Sequence, residues 1–128
     1  MIKYLKILVI IIVVLCLSAC GSTGNPTAKE MLDVNNDADI IKLDDLIYSP
    51  NTNPDIKPEE GYSKGMKIGE IKMKTSNRYW FRNLYASKLP KGTEVFSTDE
   101  VYKSGDAPLV ILVEVDGELI DYHALVEG

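Results

Sequence analysis

Seven residues, Leu109-Val-Ile-Leu-Val-Glu-Val115, constrain this chain more than any other stretch. They are apolar on both sides of an extended backbone as far as Glu114, and four of them are β-branched. A strand of that kind needs cover on both faces, which predicts a central place in a sheet. Asp116-Gly117 comes next, the dipeptide in this chain best suited to a two-residue hairpin turn, and residues 118–122 read as the return strand.

Other segments agree with a β fold. Lys67-Ile-Gly-Glu-Ile-Lys-Met-Lys74 alternates, with Ile71 and Met73 on one side and Glu70, Lys72 and Lys74 on the other, as in a half-buried strand. Leu89-Pro-Lys-Gly92 has Pro second and Gly fourth, which suits a type I turn, and residues 93–97 read as the strand behind it. Residues 39–48 fit either a helix face of Ile40, Leu43 and Ile47 or a hairpin turning at Asp44-Asp45; their β-branched content favours the hairpin. Residues 49–65 hold three prolines and two glycines and read as loop, and residues 75–87 as a polar and aromatic connection. The fold class expected is all-β: a small, mainly antiparallel sheet or partly open barrel over residues 37–128.

The start of the chain is of another kind. Lys3 and Lys6 precede an unbroken apolar run over residues 7–17, and Ser18, Ala19 and Cys20 close it, the order of a secretory signal. A spanning helix needs ~20 apolar residues, and residues 7–19 supply thirteen. A secretory signal without lipid fits less well, because Leu17 is larger than the residue usual there. Leu17-Ser18-Ala19-Cys20 resembles the lipobox of bacterial lipoprotein precursors. That resemblance implies a diacylglyceryl group on the sulfur of Cys20, cleavage just before it, and a protein held by membrane lipid on the outer face of the cell membrane. Residues 1–19 would be the signal peptide and residues 20–36 a flexible tether, with Gly and Ser for freedom, Pro26 against helix, and residues 28–37 only weakly structured. A second resemblance lies in IGEIK, ASKLPKGTEVF and LVEVDGELIDYHALVEG, which are similar to a group of small lipoproteins from Gram-positive bacteria of the Bacillus kind. It implies fold and location, and no activity.

Loss of residues 1–19 would remove Cys16, leaving Cys20 alone and no disulfide. It would leave 12 basic against 19 acidic residues, a net charge of −7, which argues against nucleic acid as a partner. The charges are banded. Residues 30–60 carry nine acids and two lysines, residues 61–93 eight basic residues and one acid, and residues 94–128 nine acids and one lysine. The basic band either neutralises its flanks within the fold or offers a surface to an anion.

Catalysis is not expected. His123 is the single histidine, and no Ser, Cys or Lys stands in a nucleophile motif with it. The acid pairs Asp44-Asp45 and Asp99-Glu100 are adjacent in sequence, whereas glycosidase carboxylates face each other across a sugar. Asp33, Asn35, Asp37, Asp39 and Asp44 fall on positions 1, 3, 5, 7 and 12 of an EF-hand or dockerin-like calcium loop. Ala38 stands where that loop needs glycine, and Asp44 is shorter than the usual Glu, so no metal or other cofactor is expected. The candidate binding face is Arg78, Trp80 and Arg82, since arginine and aromatic residues are enriched where proteins bind. The function expected is a non-catalytic, lipid-anchored binding domain at the envelope, its partner an anionic cell-wall polymer or an envelope protein. The alternatives are an accessory or inhibitor of a wall enzyme and a calcium-stabilised spacer.

Overall fold

The computed structural model describes residues 3–10, 24–50 and 62–126. Residues 3–10 are helical, and no helix among the described residues is long and apolar enough to cross a membrane. The rest is one helix, α1 (Ala28–Val34), and eight strands. These are β1 (Ile41–Leu43), β2 (Leu46–Pro50), β3 (Lys67–Glu70), β4 (Met73–Lys74), β5 (Tyr85–Ala86), β6 (Glu94–Ser97), β7 (Val110–Val115) and β8 (Glu118–Ala124). They form one sheet in the order β3-β6-β7-β8-β2-β1-β5-β4, antiparallel except between β4 and β5, and curled into a half-barrel. The all-β expectation holds.

Both hairpins read from the sequence are present. Leu43 pairs with Leu46 and Val115 with Glu118, each across a two-residue turn. Asp44 and Asp45 have φ of 50° and 63°, and Asp116 and Gly117 have 51° and 81°. Positive φ at both central residues is the type I′ turn, whose twist matches that of the strands it joins. As expected, β7 is flanked on both sides, by β6 and β8, and Ile111, Leu112 and Val113 are buried.

The two edges of the sheet belong to one stretch of chain. β3 pairs with β6 at one edge, β4 pairs with β5 at the other, and only Ile71 and Lys72 separate them. Ile71 N–H donates to Thr93 O and Lys72 N–H to Leu84 O, both at 2.8 Å, so the bend is bonded to each side in turn. Gly69 of β3 packs against the Leu84 side chain ahead of β5, where an added Cβ would lie 2.9 Å from its Cδ1. This bend corrects the expectation of one strand over residues 67–74. Ile71 turns into the core, but Met73 has already passed to the far edge and is 43% exposed.

The interior of the half-barrel holds Ile41, Leu43, Tyr48, Ile71, Val95, Ile111, Val113 and Tyr122. A smaller cluster on the outer side packs α1, through Ala28 and Leu32, on Ile40, Ile47 and Phe81. The β1–β2 hairpin is thus covered on both faces, which is why its sequence reads as helix or strand alike. Residues 28–37, expected to be weakly structured, instead contribute this helix. Thr27 and Glu30 form a reciprocal capping box, which satisfies two backbone N–H groups at the start of a helix only seven residues long. Burial of Leu32, 1% exposed, fixes it to the sheet. The turn near residue 90 also differs. Thr93 N–H donates to Pro90 O and Gly92 has φ of 94°, so the turn begins at Pro90 and takes the form that needs glycine third.

Candidate functional site

The connection between β4 and β5 carries the predicted binding face, and it is held by alternation. Phe81 points inward, edge-on to Tyr85 at 6.3 Å between ring centroids, while its neighbours Trp80 and Arg82 point out. The Arg82 guanidinium lies over the Trp80 ring at 3.9 Å, within cation–π range. Trp80 is 52% exposed. Arg78 behaves differently: its Nη1 meets Asp33 Oδ1 of α1 at 2.5 Å, and Lys29 bonds the other oxygen of that carboxylate. The Lys29 and Arg78 hydrogen bonds hold the Asp33 carboxyl below its usual range. The three predicted residues therefore split, Arg78 tied into the fold and Trp80 with Arg82 displayed as a pair.

The charge bands meet in the same manner. Lys88 pairs with Asp37, Lys64 with Glu114, and Lys67 with Glu94 and Glu70. Four residues of the basic band are thus neutralised by both acidic flanks, while Lys72, Lys74, Arg82 and Lys91 have no ion pair among the described residues.

The acidic residues at calcium-loop spacing are dispersed. Asp33 faces Arg78, Asp37 faces Lys88, and Asp39 accepts from Tyr122 Oη at 3.0 Å. Burial pushes the Asp39 carboxyl up and the Tyr122 phenol up as well. Among the described residues no three His, Cys, Asp or Glu side chains gather for a metal. His123 Nε2 lies 2.6 Å from Asp121 Oδ2, two residues away on β8, with the Tyr62 ring edge-on beside it. Cys20, the predicted lipid site, lies outside the described residues.

Asp44 has a role that its sequence position does not announce. Its carboxylate accepts from Tyr102 Oη at 2.7 Å and from the backbone N–H of Gly105 and Ala107 at 3.0 Å each. Tyr48 Oη donates to Pro108 O at 2.6 Å. Together they tie the loop between β6 and β7 to the mouth of the half-barrel. Against that loop opens a cleft of about 630 Å³, lined by Leu43, Ile68, Leu84, Lys72, Asn83 and Tyr102 among others. No family model, curated protein or solved structure matches the chain.

Proposed function

We propose that the chain is the precursor of a lipid-anchored extracytoplasmic protein whose β domain binds at the cell envelope and performs no chemistry there. The observation that carries the location is the order of the first twenty residues, two lysines, an apolar run too short to span a bilayer, and Leu-Ser-Ala-Cys at its end. Acyl chains on Cys20 would add ~0.8 kcal/mol for each buried methylene, and a diacyl anchor holds where a single chain exchanges. Cys20→Ala tests this in cells fed labelled fatty acid. Label in the parent, and its loss together with retention of the unprocessed precursor or shedding in the variant, is the expected result. An unlabelled parent, and a variant of unchanged size still in the membrane, would establish a plain transmembrane anchor instead.

The displayed Trp80–Arg82 pair supports binding at an anionic surface, such as a cell-wall polymer. Arg82 keeps its charge unpaired, and Trp80 adds apolar area beside it. With the full chain in uncharged detergent, wall polymer should bind at low salt and release as salt rises. Arg82→Ser should abolish that binding and leave the melting temperature unchanged. Arg78→Ser should do the reverse, lowering the melting temperature at low salt. Absence of parental binding would remove the polymer from consideration and leave an envelope protein as the partner.

A further inference from the structure

We infer that the cleft at the mouth of the half-barrel is a second binding site, for a small organic molecule carrying a carboxylate or phosphate group. The cleft lies where the bend of residues 67–74 meets the segment ahead of β5, and it is an open groove whose volume of about 630 Å³ matches small-molecule sites, ~300–1,000 Å³, without enclosing a ligand on all sides. Its polar groups divide by charge. The acids around it are hydrogen-bonded: Lys67 bonds Glu70 at 3.1 Å and Glu94 at 3.3 Å, and Asp44 behind the wall accepts three neutral donors. The donors are not. Lys72 has no ion pair, and the Ser104 hydroxyl has no partner among the described residues. Asn83 receives the Asp44 N–H on its carbonyl oxygen at 3.0 Å, which leaves its NH2 group to donate. A cleft whose carboxylates are occupied and whose ammonium, amide and hydroxyl donors are open suits an oxyanion. Ile68, half-buried, offers the carbon part of a ligand an apolar contact, over Leu43 and Leu84 buried beneath.

The geometry is set before any ligand arrives. Asp44 positions Tyr102 and, through Gly105 and Ala107, the segment that bears Ser104. The Tyr102 phenol spends its proton on Asp44, and burial together with that carboxylate pushes its pKa up, so it stays a neutral wall. Tyr102 and Asn83, held this way, lose little freedom on binding, and the ligand itself orders Lys72.

The test is a chemical-shift titration of the full chain in uncharged detergent, with phenyl phosphate, benzoate and uncharged benzyl alcohol as probes. Saturable shifts at the amides of Gly69, Lys72, Asn83 and Ser104 are expected with at least one of the two anions, and the stronger of them tells phosphate from carboxylate. Benzyl alcohol should bind at least tenfold more weakly. Lys72→Gln and Asn83→Asp should each weaken the anion at least tenfold. Asn83→Asp keeps an oxygen for the Asp44 N–H, so its spectrum should otherwise match the parent. Shifts equal for anion and alcohol, affinity unchanged in both variants, or no saturable shift at these amides would overturn the inference. So would anion-induced shifts confined to residues 79–82, which would assign anion binding to the Trp80–Arg82 pair alone.

Discussion

The two hairpins have the same turn type and differ in what their turns are bonded to. In β7–β8 Ile111 and Val113 are buried, and of the two positive φ in the turn one falls on Gly117 and one on Asp116. In β1–β2 the strands are buried as well, with Ile41, Leu43, Ile47 and Tyr48 all covered, and the turn is in addition bonded to a distant loop. Asp44 and Asp45 both take positive φ without glycine, a conformation that costs about 1 kcal/mol or more per residue. Asp44 offsets that cost with three accepted hydrogen bonds that reach the loop between β6 and β7. Both hairpins serve the sheet, and the Asp44 turn also fixes the loop beside the cleft.

Substitutions can break this contrast. Val113→Asp should cost the most, about 4 kcal/mol, by placing an unpaired carboxylate in the core, and chemical denaturation should show a fold near its limit. A variant as stable as the parent would show that β7 is not the stability centre. Asp44→Ala comes second, at about 2–3 kcal/mol, because it removes charge-assisted acceptors from two N–H groups and a hydroxyl. Its distinctive sign is local: hydrogen exchange should quicken at Gly105 and Ala107 more than in β7. Gly117→Ala should cost about 1 kcal/mol through its positive φ alone, with no change in the loop. Asp45→Gly should be the smallest effect and of opposite sign, a gain of about 0.5 kcal/mol, since it relieves the strain and breaks no hydrogen bond seen among the described residues. A loss there would mean that Asp45, too, is bonded into its surroundings.

Local chemistry made both hairpins legible, because β-branched runs and turn dipeptides act over a few residues. The helix over residues 28–34 had a readable signal in Thr27-x-x-Glu30, yet its charged composition hid it, and what holds it is the tertiary burial of Leu32. The exposure of Met73 was not readable, because period-two alternation assumes one partner throughout and residues 67–74 change partners midway. The turn at Pro90 was displaced by one residue, since proline suits several turn positions and the bonds of Gly92 and Thr93 decide among them. At the predicted binding face, composition pointed to the right segment but not to its division. Only the placement of α1 shows that Asp33 takes Arg78 and leaves Arg82 free. The cleft joins positions 43, 67–70, 72, 83–84, 102 and 104, which no linear spacing connects.

The shared ownership of the two sheet edges has a kinetic consequence. In an ordinary open sheet each edge strand frays independently. Here, release of residues 67–74 uncovers β6 and β5 in one event, because the same eight residues leave both. Their amides should exchange with solvent together, with a single opening free energy, although they stand at opposite ends of the strand order. The same event would present two unpaired backbone rows to a neighbouring molecule, so the rate of self-association should follow that one latch.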